Sequence, residues 1–324
     1  MKAAVYRRYG PPEVVTIEEV PKPVPGSGEL LVRVMATTVN RNDCGFRTPE
    51  YPAIIRPIHG LFSPRKTILG TEFAGTVESV GAGVRAFKPG DRVFGLTGND
   101  FGTHAEYLCI PEDGALARMP SNLGFEEATA ILDGPWLAMN LLRSIDPSRR
   151  RRLLINGASG SIGSSCVQLA RHFGADVVAV CSTRSIETVR SFGVRRIIDF
   201  SRESFLECGE TFDAIIDAVG KSSFPRCRHL LDEGGYYVST EFGDWIPQNP
   251  LLSLWTRVAG GKQVRFPIPR LNREDILFFK DLAEKGALRA VIDRSYPLER
   301  IVEAYHYVQG GQKMGSVVIS NRPL

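Results

Sequence analysis

The chain has 324 residues, enough for two domains at roughly 150 residues each and for a real core. Hydrophobic residues at 43% and charged residues at 23% are the make-up of an ordinary globular protein, which excludes disordered, collagen-like and coiled-coil readings. The net charge of +4, from 40 Lys and Arg against 36 Asp and Glu, suits a mildly electropositive pocket for an anionic cofactor and falls short of the basic stripe of a nucleic-acid binder.

The start, Met1 to Arg8, carries no apolar stretch of signal-peptide length, and nowhere do about 18 apolar residues run together, so neither a cleaved secretion signal nor a membrane span is expected. From residue 3 to about 118, short β-type runs (Leu30 to Val34, Phe73 to Val80, Arg92 to Phe94, Ala105 to Ile110) are broken by Gly and Pro. That is the punctuation of an antiparallel, barrel-like domain. Cysteines 44, 109, 166, 181, 208 and 227 form no Cys-x-x-Cys pair and have no His at ligand spacing. They read as free thiols in a reducing cytoplasm.

The character changes after Pro120. Residues 123 to 142 have helical spacing, and the run Arg149 to Arg152, read as a solvated loop, leads into a buried strand. Strands are then predicted at Leu153 to Asn156, Val177 to Val180, Arg196 to Ile198, Asp213 to Asp217, Tyr236 to Thr240 and Gln263 to Phe266. Helices are predicted at Ile162 to Phe173, Ser185 to Phe192 and Phe224 to Leu231. This alternation predicts an α/β, doubly wound parallel sheet. Two amphipathic helices (274 to 285 and 298 to 308) and a closing strand, Ser316 to Ile319, follow, and the economical place for them is back on the first domain. The expected boundaries are 1–122 and 271–324 for one unit and 123–270 for the other.

Strand Leu153 to Asn156 runs into Gly157-Ala-Ser159-Gly160-Ser161-Ile162-Gly163 and then a helix. A glycine turn lets backbone N–H groups approach a pyrophosphate, whose charge meets the positive end of the helix dipole. An NAD enzyme usually ends its second strand with Asp or Glu to bind the ribose 2′-hydroxyl; here the strand ends Cys181-Ser182-Thr183-Arg184, with no carboxylate before Glu187. NADP(H) is therefore the expected cofactor, with Ser182 and Arg184 holding the 2′-phosphate and Thr183 between them.

Asn156-Gly-Ala-Ser-Gly-Ser-Ile-Gly, Gly70-Thr-Glu-Phe-Ala-Gly-Thr-Val-Glu-Ser-Val-Gly, Phe87-Lys-Pro-Gly-Asp-Arg-Val-Phe-Gly and Asp217-Ala-Val-Gly together resemble the medium-chain dehydrogenase/reductase superfamily, with most similarity to its zinc-independent quinone oxidoreductase and enone (alkenal) reductase branch. The resemblance covers essentially the whole chain. It implies a discontinuous GroES-like β-barrel-type catalytic domain around a Rossmann domain, with the active site in the cleft between them. It further implies cofactor contacts at Val219, Thr240, Phe266 and Ile268, with Phe200 near the adenosine, and a homodimer. Zinc-dependent members hold their metal with Cys, His and Cys; those places are taken here by Asn40, Thr71 and Asp133, so no metal is expected.

Without a metal, oxidation of simple alcohols loses its Lewis acid, whereas hydride delivery to a conjugated carbon spreads charge onto an oxygen that hydrogen-bond donors can stabilise. The expected reaction is NADPH-dependent reduction of an α,β-unsaturated carbonyl or a quinone, a small electrophilic substrate. Asn40 and Asp133 are the first candidate catalytic residues, Asp43 an orienting residue and Tyr51 a further proton donor. The rival readings are a metal-free carbonyl reductase or alcohol dehydrogenase and a non-catalytic NADPH-binding or sensing protein.

Overall fold

Residues 1–48, 59–149, 152–241 and 248–321 are described by the computed structural model. The chain divides into two units, Met1–Asp133 with Leu271–Leu324, and Gly134–Arg270.

The spine of the first unit is the strand Glu29–Val39. It pairs antiparallel with Glu72–Val80 and Tyr107–Pro111, and Glu72–Val80 carries the sheet on to Arg92–Leu96 and then Leu116–Arg118. Its far end takes the closing strand Ser316–Ser320, in the register Val317 opposite Val39, and that strand pairs with Ile292–Pro297. The pairing binds the end of the chain into the sheet begun near its start. Leu30, Val32, Val34, Phe73, Val77 and Val93 form one buried cluster. The helix Ile301–Gln309 closes a second by laying Ile301, Ala304, Tyr305 and Val308 against Val39, Val317 and Ile319.

The single helix expected over 123 to 142 is two, Phe125–Ala130 and Asp133–Arg143. Pro135 lacks the N–H that would continue the first helix, and its ring would meet the carbonyl four residues back. The first of the two packs on Glu29–Val39 and Glu72–Val80, so it belongs to the first unit although the expected boundary at 122 assigned it to the second.

In the second unit six parallel strands lie in the order Arg196–Asp199, Asp176–Cys181, Arg152–Asn156, Phe212–Asp217, Leu231–Ser239 and Gln263–Arg265. By chain order within the unit this is 3-2-1-4-5-6, the doubly wound arrangement. The inner strands are continuous apolar runs because both sheet faces are covered. The helix expected at Phe224 to Leu231 stops at Cys227 and gives way to a 3-10 turn, Arg228–Leu230. The helix Gln248–Ala259 had no counterpart in the sequence reading.

Asp217 ties the carboxyl ends of the middle strands together. It is buried and accepts hydrogen bonds from Asn156 Nδ2 (3.1 Å), from the N–H groups of Val219 (3.3 Å), Gly220 (3.1 Å) and Ser222 (2.9 Å), and from Tyr237 Oη (3.0 Å). Asp217→Ala leaves several of these donors unmatched and is expected to cost on the order of 3 kcal/mol, read from urea unfolding. A loss under about 1 kcal/mol would show that other groups hold the strand ends.

Candidate active site

In the first unit the helix Arg41–Arg47 begins at Asn40 with a reciprocal cap. Asn40 Oδ1 accepts from the Asp43 N–H at 3.0 Å, and Asp43 Oδ2 accepts from the Asn40 N–H at 2.9 Å. Asp43 Oδ1 accepts from the Gly70 N–H at 3.0 Å. Gly70 has φ +87°, and a Cβ there would stand 2.2 Å from Thr103 Oγ1 and 2.4 Å from the His104 ring, so only glycine fits this approach. Burial pushes Asp43 up to about 7, against the two backbone N–H groups that favour its ionised form.

His104 Nε2 lies 2.8 Å from the Thr38 carbonyl, and Nδ1 lies 3.3 Å from Tyr305 Oη. A carbonyl only accepts, so Nε2 carries the proton and Nδ1 accepts from the tyrosine. Burial lowers His104 to about 4. The ring is therefore neutral at pH 7, and its 3.8 Å approach to Asp43 is not an ion pair.

Next to this network, Glu72 accepts from Thr38 Oγ1 and, at 2.9 Å, from the Asp133 N–H. Asp133 is buried, and its Oδ1 has no hydrogen-bond partner among the described residues. Burial raises both carboxyl groups, Glu72 also through the charge of Asp133 and Asp133 also through that of Asp43; Lys313 pulls Asp133 the other way. Lys313 is half-buried and donates to the Gly315 carbonyl at 2.6 Å.

This donor set does not fit a zinc ion. Asn40 turns its Nδ2 donor toward Thr71 Oγ1 at 3.3 Å while its oxygen caps the helix, Thr71 offers a neutral hydroxyl, and both Glu72 oxygens accept from protein donors. Among the described residues no group of three or more His, Cys, Asp or Glu is arranged to hold a metal ion.

In the second unit the turn after Arg152–Asn156 fits a dinucleotide. Gly157 has φ +82°, and Gly163 has no room for a Cβ, which would stand 2.0 Å from the Gly157 carbonyl. At Gly160 the nearest atom to such a Cβ is 3.7 Å away, so internal packing does not demand that glycine; an approaching phosphate would. Gly160 caps the helix Ser161–His172, whose first-turn N–H groups have no partner within the helix. Ser159, Ser161 and Ile162 are half-buried around the turn.

Arg184 is exposed and has no carboxylate partner among the described residues. Ser182 Oγ pairs with Ser185 Oγ at 3.1 Å. Thr183 donates to Asp199 Oδ2 at 2.5 Å, so its hydroxyl is committed. Asp199, overlooked in the sequence reading because it ends the third strand and not the second, is held below its usual range chiefly by that hydroxyl. Phe200, Val219 and Ile268 expose 59%, 38% and 80% of their surface, each within three residues of a strand end. Thr240 and Phe266 are half-buried there too. Tyr51 lies outside the described residues. Glu72 is the candidate-site group that sequence reasoning missed, although it stood in the Gly70-Thr-Glu motif as a signal that could have found it.

Comparison with known proteins agrees with both halves. The family described as "Alcohol dehydrogenase GroES-like domain" matches residues 26–121, and that described as "Zinc-binding dehydrogenase" matches residues 192–319. A 2-methylene-furan-3-one reductase of Solanum lycopersicum is 30% identical over 100% of this chain and 80% of its own length. An NADPH-dependent alkenal/one oxidoreductase of Arabidopsis thaliana is 29% identical over 98% of this chain and 79% of its own. The solved quinone oxidoreductase from Coxiella burnetii superposes with a TM-score of 0.87 at 25% identity, covering 99% of each chain.

The site electrostatics predict that His104 keeps its Nε2–H neutral form from pH 8 down to about 5 and protonates only near its lowered value of about 4. Ring 15N shifts measure this directly; a midpoint near 6.5 would remove the buried neutral ring from the account.

Proposed function

The chain belongs to the medium-chain dehydrogenase/reductase superfamily, and we propose that it reduces an α,β-unsaturated carbonyl or a quinone with NADPH, without zinc. The observation that carries this reading is the Asn40–Thr71 hydrogen bond, made between two residues at places that, by the family resemblance, hold zinc ligands in zinc-dependent members. The names of the reductases at 27–30% identity support the substrate class.

Gly157, Gly160 and Gly163, with the helix that Gly160 caps, would hold the pyrophosphate, and Ser182 and Arg184 the 2′-phosphate. When bound, NADPH supplies a hydride. In an enone the β-carbon takes that hydride and an electron pair moves onto the carbonyl oxygen. The second Asn40 Nδ2 hydrogen donates to this oxygen. Asp133, whose carboxyl burial raises well above the usual range, donates in its protonated form, where an ionised carboxylate would repel. Its proton completes the addition of one hydride and one proton across the double bond, or converts a quinone to the hydroquinone.

A homodimer is part of the reading. Gln263–Arg265 ends the sheet, and the helix just before it exposes Leu251, Leu254, Trp255 and Val258 at one-face spacing, as a contact surface would. Six free cysteines, four of them buried, support a reducing compartment such as the cytoplasm.

Metal-depleted protein is expected to oxidise NADPH with 2-alkenals, enones or quinones, followed as loss of nicotinamide absorbance. Turnover that requires added zinc, or none on any of these, overturns the reading. Arg184→Ala should raise the KM for NADPH about tenfold or more, the value of one charge-assisted phosphate contact, and leave NADH use little changed; equal effects on both cofactors would remove Arg184 from the 2′-phosphate.

A further inference from the structure

The carboxylate that marks NAD enzymes is missing from the end of the strand Asp176–Cys181, yet an acid stands beside that strand end all the same. Asp199 closes the neighbouring strand Arg196–Asp199 directly opposite Cys181. The Phe200 N–H donates to the Cys181 carbonyl at 3.1 Å, so the two strand ends are held together at the backbone. From there Asp199 Oδ2 accepts from Thr183 Oγ1 at 2.5 Å. Thr183 is itself fixed by the 3-10 turn Thr183–Ser185, in which the Ser185 N–H donates to the Ser182 carbonyl at 2.9 Å.

An acid in this place bears on which dinucleotide is held. A ribose 2′-hydroxyl needs a carboxylate oxygen free to accept from it, whereas a 2′-phosphate is repelled by the same charge. In Asp199 both oxygens are already engaged by protein donors. Oδ1 takes the Ser201 N–H at 2.9 Å, Oδ2 takes the Thr183 hydroxyl, and Arg202 Nε lies 3.6 Å from Oδ2. The Arg202 side chain is largely exposed, so its charge stays open to a second anion as well.

We propose that the Thr183–Asp199 hydrogen bond determines cofactor preference: the threonine hydroxyl occupies the carboxylate oxygen that a ribose 2′-hydroxyl would need, and Arg202 offsets the charge that a 2′-phosphate would meet. This rests on the reading that Ser182 and Arg184 hold a 2′-phosphate, and adds to it the pair that rejects NADH. Thr183 stands between those two residues in the chain and spends its hydroxyl on the acid. With that hydroxyl removed, Oδ2 becomes a free acceptor. The loop then favours a 2′-hydroxyl and opposes a 2′-phosphate.

Titration of nicotinamide fluorescence gives Kd for NADPH and for NADH with no substrate present. Thr183→Val keeps the side-chain shape and removes the donor; it should weaken NADPH and strengthen NADH, moving the ratio of the two Kd values about tenfold or more, the worth of one charge-assisted contact. Adding Asp199→Asn to that variant removes the charge and should restore NADPH binding. An unmoved ratio in Thr183→Val, or a loss of NADPH binding that Asp199→Asn does not reverse, overturns the proposal. If the double variant does not fold, Arg202→Gln decides: it should weaken NADPH and leave NADH unchanged, and equal effects on both cofactors overturn the proposal. A wild type that binds both cofactors equally would sink the 2′-phosphate reading, while a moved ratio in Thr183→Val would leave the role of the pair standing. A wild type selective for NADPH whose ratio Thr183→Val does not move would do the reverse.

Discussion

Asp43 has to be buried if the helix it helps to cap is to meet the Gly70 turn, because one carboxyl group serves both backbones: Oδ2 takes the Asn40 N–H and Oδ1 the Gly70 N–H. The rest of the site follows from that placement. It fixes Asn40 as a cap, which sets its amide toward Thr71. Gly70 must lie hard against Thr103 and His104, which in turn leaves the His104 ring dry and neutral. Beside this network, Glu72 accepts from Thr38 and from the Asp133 N–H, which sets the second pair of buried acids against the first.

The buried acids are costly to the fold, and the linkage has a definite sign. A carboxyl group held near 7 in the folded chain, as Asp43 is, binds a proton that the unfolded chain has already lost above about 4, so its contribution to stability falls as pH rises between those values. His104, lowered to about 4, works in the opposite direction up to about 6.5. Such groups are retained against their cost where a site needs a proton that can move near neutral pH. In the second unit the constraint is spatial: Gly163 and Gly157 must approach within contact for the strand to turn into its helix, and Gly160 alone is left to an external group.

The doubly wound sheet was legible because fully buried parallel strands leave continuous apolar runs, as in Leu153-Leu154-Ile155, and two of the helices between them run to a glycine, Gly174 and Gly193. The helix over 123 to 142 was misread because its apolar spacing continues across the break, and only Pro135 marks it. The geometry of the candidate site was legible where a motif places backbone, at the Gly157 to Gly163 turn and at the Asn40 cap, and illegible where side chains from distant segments meet. Glu72 and Asp133 stand 61 residues apart, and neither local sequence shows the hydrogen bond that joins them. Asp199 was missed for the same reason: its contact with Thr183 is made across neighbouring strands.

At issue is the proposed conjugate reduction, with the Asn40 amide and the Asp133 carboxyl as its proposed donors. It is tested most directly by the fate of deuterium from 4-deuterated NADPH, with metal-depleted protein and a simple enone. The account predicts deuterium on the β-carbon of a saturated ketone, with the α-hydrogen drawn from solvent. Deuterium on the carbonyl carbon of an allylic alcohol would contradict it.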